Sequence, residues 1–122
     1  MVGFALGWDG QAHGVLWITG DTVLYDGVRQ VADRLQVDTA LLHLGCVRFP
    51  VTGPVRYSMT AREAIQLCQL VRPRTAIPVH YEGWTHFHQG RPAIEQEFEQ
   101  APADIGRRLR WLPIGAGVSI AG

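Results

Sequence analysis

Two short segments each end an apolar run with a side chain that can bind a metal ion. Residues 18–22 read Ile-Thr-Gly-Asp-Thr, so that Asp21 follows a strand-like run and a glycine. Residues 77–81 read Ile-Pro-Val-His-Tyr, so that His80 ends a second run. Ligands bind beyond the carboxyl ends of strands in α/β sheets, and a carboxylate and a neutral imidazole both coordinate divalent transition metals. We therefore expect Asp21 and His80 to lie less than about 10 Å apart and to share one ion.

Each of these residues also has a structural explanation when it is taken alone. An aspartate between glycine and threonine is commonly a turn or helix-cap residue. A single histidine at the end of a strand is more often a hydrogen-bonded structural residue than a ligand. His43, inside a predicted strand, is interpreted in the same way, as a hydrogen-bonded core residue.

Other candidates lie close to His80 in the sequence. Tyr81 and Glu82 follow it directly and are placed to hydrogen-bond a ligand or to orient the imidazole. His86 and His88 come slightly later and can face a substrate, although exposed loop histidines are the simpler interpretation. All four residues are therefore candidates for binding substrate or supporting the metal ligands, with an ordinary exposed loop position as the preferred interpretation of His86 and His88.

The composition limits the class of protein. The chain has 122 residues, of which 47% are hydrophobic and 18% are charged, with a formal net charge of 0. These values indicate a globular domain and argue against a basic face for nucleic acid or for a membrane surface. No apolar run reaches the roughly 18 residues of a membrane-spanning helix, and no signal peptide is visible.

The two cysteines fit no CxxC spacing of a metal or redox site, and they indicate a reducing, cytoplasmic location. Cys68 falls on the apolar side of a predicted helix and is expected in the core. Cys46 is a nucleophile only if a histidine and an orienting group converge on it, and most free cysteines are structural.

Short strands must hold the candidate residues in place. Two apolar runs at 2–8 and 15–19, joined by Asp-Gly and a second glycine, predict a β-hairpin. Further apolar runs predict four more strands, at 39–44, 75–80, 109–112 and 118–120. The first of these four lacks alternation, which is typical of a strand that is covered on both faces.

Three helices are predicted between these strands. Asp26 is placed to cap the first helix, whose apolar residues recur at helical spacing. Thr60 and Glu63 form a capping box at the start of the second, and Pro92 favours the first turn of the third. The predicted order is β-β-α-β-α-β-α-β-β, in a single α/β domain over residues 1–122.

Four segments, taken in order, carry a family resemblance. They are Gly-Phe-Ala-Leu, Gly-Val-Leu-Trp-Ile-Thr-Gly-Asp-Thr, Val-Asp-Thr-Ala-Leu-Leu-His-Leu-Gly and Ala-Ile-Pro-Val-His-Tyr-Glu-Gly-Trp. The capping-box helix lies between the last two. Together these segments resemble the C-terminal half of hydrolases of the metallo-β-lactamase fold superfamily, above all its lactonases and phosphodiesterase-like members, including the ascorbate-phosphate lactonase type.

The resemblance implies half of a four-layer αββα sandwich with one or two divalent ions, usually zinc or manganese, at one edge of the sheets. Asp21 is similar to the metal-bridging aspartate of the family, and His80 to its last histidine ligand. The implied reaction is attack of metal-activated water on an ester, lactone or phosphodiester of a small-molecule substrate.

The sequence departs from the family pattern in one important respect. The HxHxDH signature is absent, and so is the histidine ligand that normally precedes Gly-Asp-Thr. His13, in the predicted hairpin turn, is the only histidine before Asp21. We therefore expect the C-terminal portion of a hydrolase without its HxHxDH half, whether as a truncated reading frame, an excised piece or one part of a split protein.

Two consequences are expected for the isolated chain. Two ligands are too few for a catalytic zinc site, so the chain is expected to be inactive alone. The alternative is a non-catalytic fragment or binding module that retains the fold without a working metal site. Half of a sandwich also exposes an inner sheet face, here assigned to Phe4, Leu6, Leu16 and Ile18, and such a face favours self-association or binding of the missing half.

Overall fold

The computed structural model describes residues 3–24, 26–46, 58–81 and 90–120. Within them a four-stranded sheet has the order β1-β2-β3-β4, with β1 Phe4–Leu6, β2 Val15–Ile18, β3 Val37–His43 and β4 Thr75–Val79. β1 pairs antiparallel with β2, which confirms the predicted hairpin. β2, β3 and β4 are parallel, so their carboxyl ends meet at one edge of the sheet.

Helices cover one face of the sheet. They are α1 Asp26–Arg29, α2 Val31–Arg34, α3 Ala61–Val71, α4 Arg91–Gln100 and α5 Ala103–Gly106. Trp17, Ala40 and Leu42 point to this face and join one buried cluster with the helices, which contribute Leu67, Ile94 and Phe98 among others. None of the helices in these ranges is long and apolar enough to cross a membrane.

The opposite face of the sheet is apolar near β1. Phe4 lies opposite Ile18 and Leu6 lies opposite Leu16 in the antiparallel register, so all four side chains share one face. Phe4 is 57% exposed and Leu6 is 44% exposed. The grouping expected from the sequence is therefore confirmed by the register.

The first predicted helix is divided in two. The backbone N–H of Asp33 donates to the Gln30 carbonyl, a bond of the tighter 3₁₀ type, at the junction of α1 and α2. Leu35 then adopts an extended conformation and ends α2. A short helix that was not predicted, α5, follows Pro102.

The two closing strands predicted at 109–112 and 118–120 are wrong. Leu109 forms a single parallel bridge with Ala76, and residues 110–120 contain no strand. Pro113 has no N–H to donate to a ladder. A turn at Ile114 and Gly115, where glycine has a φ of 79°, then redirects the chain.

The predicted capping box at the start of α3 is confirmed. The Thr60 hydroxyl accepts from the Glu63 backbone N–H at 3.2 Å, and the Glu63 carboxylate accepts from the Thr60 N–H at 3.2 Å. The other Glu63 carboxylate oxygen accepts from the Leu24 N–H at 3.1 Å, which ties the helix to the segment after β2.

Removal of this cap is expected to weaken the fold measurably. Thr60→Ala leaves a helix N–H without its acceptor and should lower the free energy of unfolding by about 1 kcal/mol. Thr60→Ser keeps the hydroxyl and should lose much less. Urea denaturation compares the two variants with the parent chain, and equal losses in both would contradict the assigned role.

Candidate metal site

Asp21 and His80 meet at the carboxyl edge of the sheet. Asp21 follows β2 after Thr19 and Gly20, and His80 follows β4 directly. Oδ1 of Asp21 lies 3.4 Å from Nδ1 of His80. The expected proximity is therefore confirmed. Both side chains are partly exposed, whereas the Nδ1 atom of His80 is itself buried.

The two strands that carry these residues are not adjacent in the sheet. β3 lies between β2 and β4, and Asp21 and His80 approach each other across its end. Local backbone geometry allows this approach. Gly20 has a φ of 68° and His80 a φ of 62°, both in the left-handed region that non-glycine residues seldom occupy.

His43, the last residue of β3, lies beside this pair. Its ring centroid is 5.6 Å from that of His80, with the planes inclined by 40°. Its backbone N–H donates to the Thr19 hydroxyl at 3.1 Å, and its ring Nδ1 lies 3.5 Å from the same hydroxyl. Burial lowers the pKa of His43, the nearby Asp21 carboxylate raises it and His80 lowers it. The net shift is downward, which favours the neutral imidazole.

Sequence reasoning did not place His43 at the site, because that placement depends on strand order. Once β3 is known to separate β2 from β4, its terminal residue must lie between the two candidate ligands. The available signal was the run of three strand ends at 18–22, 39–44 and 77–81, each with a polar residue near its end.

Of the four residues predicted near His80, the structure describes Tyr81. Tyr81 is buried and packs edge-on against Trp111 at 5.1 Å between ring centroids, and the Arg91 guanidinium lies 4.5 Å above the Trp111 ring. This stack anchors the segment after His80. The predictions for three other residues fall outside the described part of the chain: Glu82, His86 and His88.

The cysteines have structural positions. Cys68 is buried in the core, as expected, and burial raises the pKa of its thiol to about 12. Cys46 is buried too, with a φ of 52°, and its backbone N–H donates to the Met59 carbonyl.

The distance between the Asp21 and His80 ligand atoms matches the ligand spacing around a metal ion. Two ligand atoms that each lie about 2.1 Å from a tetrahedral zinc ion are separated by about 3.4 Å. The distance between Asp21 Oδ1 and His80 Nδ1 is 3.4 Å, so the pair fits two ligand positions of one ion. Within the described ranges, no group of three or more His, Cys, Asp or Glu side chains is arranged to hold a metal.

Several curated proteins are similar to this chain. One from Pyrobaculum arsenaticum is 32% identical over 93 residues, which is 76% of this chain and 34% of that protein. One from Natranaerobius thermophilus is 30% identical over 104 residues, 84% of this chain and 40% of that protein. Both are named UPF0173 metal-dependent hydrolases. The chain is therefore similar to part of these proteins. It spans between 34% and 40% of their length, and no family model matches it.

Two solved structures share the fold of this chain. An isothiocyanate hydrolase from Delia radicum gut bacteria superimposes with a TM-score of 0.80 over 98% of this chain and 44% of its own, at 15% identity. A metallo hydrolase from Ignicoccus hospitalis superimposes with a TM-score of 0.65 over 90% of this chain and 41% of its own, at 22% identity. With the relatives, they confirm the resemblance to part of the metallo-β-lactamase fold.

Proposed function

We propose that Asp21 and His80 are two ligands of a divalent metal in a hydrolase, and that this chain supplies the C-terminal part of its site. The observation that carries the proposal is the 3.4 Å approach of the two side chains across the end of an intervening strand. The names of the UPF0173 relatives support it.

Each residue has a distinct task in this proposal. Asp21 supplies a carboxylate whose negative charge offsets that of the cation, and His80 supplies a nitrogen lone pair. A divalent ion would supply Lewis acidity and would lower the pKa of a water molecule that it holds to about 7. We propose zinc or manganese as the metal, because one nitrogen and one oxygen ligand suit both. The substrate is a small ester, lactone or phosphodiester.

The ligand count limits what the isolated chain does. Catalytic zinc takes three protein ligands and keeps one position for water. With two ligands the ion is held weakly, and turnover by the chain alone is inefficient. The other ligands then come from the rest of a metallo-hydrolase fold. The competing function, a binding module without a metal site, is favoured by the lack of a three-ligand cluster in the described ranges.

Metal binding separates these two functions. Competition with a chromogenic chelator should show weak binding of one zinc ion by the chain. Asp21→Ala should weaken this binding by more than about 100-fold, since even loss of an outer partner costs 10–100-fold. Acidification should also weaken it, because a protonated imidazole has no lone pair to share.

The matched control is Asp33→Ala, which removes an exposed carboxylate from α2 and should leave zinc binding unchanged. Equal zinc affinity in the Asp21→Ala variant and the parent chain would contradict the proposed site. No zinc binding by the parent chain would favour the binding module.

We also propose that the remainder of the metallo-hydrolase fold covers the apolar face formed by Phe4, Leu6, Leu16 and Ile18. The chain spans 44% and 41% of the two similar structures, so more than half of each lies outside the shared region. Exposed apolar faces of this kind mark interfaces.

The isolated chain is therefore expected to self-associate through this face. Static light scattering should give a mass above that of one chain, and the double variant Phe4→Ser, Leu6→Ser should return it to the monomer. Leu70 on α3 is 50% exposed, comparable with these two residues. Leu70→Ser should leave the mass unchanged, and a parent chain that is monomeric would refute the expectation.

A further inference from the structure

One buried hydroxyl, that of Thr19, lies two residues before Asp21 and contacts His43 at the end of the neighbouring strand. Thr19 is 5% exposed, and its side chain contacts three groups. The hydroxyl donates to the Gly20 carbonyl at 3.0 Å and accepts from the His43 backbone N–H at 3.1 Å. Its third contact is with the His43 ring, at 3.5 Å from Nδ1.

The number of hydrogens available in these contacts decides which ring nitrogen of His43 is protonated. A hydroxyl has one hydrogen to donate and two lone pairs to accept with. The shorter contact, to the Gly20 carbonyl, takes the hydrogen. The longer contact to Nδ1 is then satisfied only if Nδ1 carries a proton and donates it. The lone pair of the neutral His43 ring therefore lies on Nε2.

We infer that Thr19 and His43 form a positioning pair that sets the relative orientation of Asp21 and His80. This role deepens the proposed function and rests on it, because orientation of the two ligands matters for metal binding. Neither residue is assigned as a ligand.

The pair is linked to Asp21 through the backbone of Gly20 and to His80 through a ring contact. On one side, the Thr19 hydroxyl holds the Gly20 carbonyl, which belongs to the peptide group that leads into Asp21. The backbone of Gly20 is in the left-handed region, and glycine can adopt many other conformations. The bond therefore restrains the direction in which the chain continues from Gly20 to Asp21.

On the other side, the His43 ring lies against the His80 ring at the end of the strand that separates β2 from β4. His80 holds a left-handed conformation, which persists in a non-glycine residue only where the surroundings impose it. One hydroxyl and one ring thus connect both ligands to the edge of the sheet.

The experiment compares the metal-free parent chain with three single variants by NMR. Long-range ¹H–¹⁵N spectra of the histidine rings should show His43 protonated at Nδ1. Thr19→Val removes the hydroxyl at nearly constant volume and should abolish this preference, whereas Thr19→Ser should retain it. The His80 ring resonances should shift in Thr19→Val and in His43→Ala, and stay in place in Thr19→Ser.

Zinc affinity then tests whether the two residues act as one unit. Thr19→Val and His43→Ala should each weaken zinc binding by about 10-fold. The double variant should also lose about 10-fold, rather than the product of the two effects, because either change breaks the same connection. Urea unfolding of each variant verifies that the folded state is populated throughout.

The outcomes for the pair and for the metal site are separable. If zinc binds through Asp21 but Thr19→Val alters neither the His80 resonances nor the affinity, the positioning pair is refuted and the metal site stands. If no zinc binds but Thr19→Val still shifts the His80 resonances, the metal site is refuted and the pair stands. Protonation of His43 at Nε2 in the parent chain, or multiplicative losses of affinity, would overturn the pair.

Discussion

Replacement of His80 by alanine or by glycine is expected to remove zinc binding and yet to give two proteins of different stability. Both variants lose the imidazole, so both should bind zinc more than about 100-fold more weakly than the parent chain, beyond the 10–100-fold range for outer partners. The backbone of His80 has a φ of 62°. A side chain in this region costs about 1 kcal/mol that glycine avoids. The glycine variant should therefore unfold with a free energy about 1 kcal/mol higher than the alanine variant.

A control in a regular helix should give the opposite order. Gln96 is an exposed residue within α4, where glycine is less favourable than alanine by about 1 kcal/mol. Chemical denaturation of the four variants, with zinc competition assays on the His80 pair, makes the comparison. If His80→Gly and Gln96→Gly are destabilised equally relative to their alanine counterparts, the left-handed conformation of His80 is not a source of strain.

A large loss of stability is expected from Gly14→Ala. A Cβ at Gly14 would lie 2.2 Å from the Gln36 carbonyl oxygen, and the residue has a φ of 124°. The same carbonyl accepts the Val15 N–H at 2.9 Å, a bond at the start of the β2–β3 pairing. The variant must break this close approach or strain the backbone, so we expect the free energy of unfolding to fall by at least about 2 kcal/mol.

Gly10 provides a matched control in the same hairpin. It also has a positive φ, 94°, but a Cβ there meets nothing within 4 Å. Gly10→Ala should therefore cost only the conformational penalty of about 1 kcal/mol. Thermal and urea denaturation compare the two variants. Equal losses would show that the contact between Gly14 and residue 36 does not set the pairing of β2 with β3.

The features predicted correctly from the sequence are those with a local cause. The hairpin follows from two apolar runs around glycine turns, and the start of α3 follows from the capping box of Thr60 and Glu63. In both cases a few consecutive residues carry the physical cause. The expectation that Asp21 and His80 meet rests instead on the general rule that ligands bind beyond the carboxyl ends of strands in α/β sheets.

The errors concern longer-range relations. Strand order placed β3 between the two ligands and brought His43 to the site. No local pattern encodes this order, because it depends on how the crossover helices pack against the sheet. The two closing strands were predicted from local hydrophobicity alone. Their apolar runs suit a strand, but Pro113 and the turn at Gly115 prevent the formation of a hydrogen-bonded ladder.

The position of the ligand pair also has a kinetic consequence. Asp21 and His80 are far apart in sequence and meet only when β2 has paired with β3 and β3 has paired with β4. Parallel pairings of this kind are closed late, because each must overcome the entropy of a long loop before its contacts form. We therefore expect the two ligands to come together after the folding transition state, so that a bound cation stabilises the native state without stabilising that transition state. Such an ion would slow unfolding and leave the folding rate unchanged. The metal would therefore increase the kinetic stability of the folded sheet without assisting its formation.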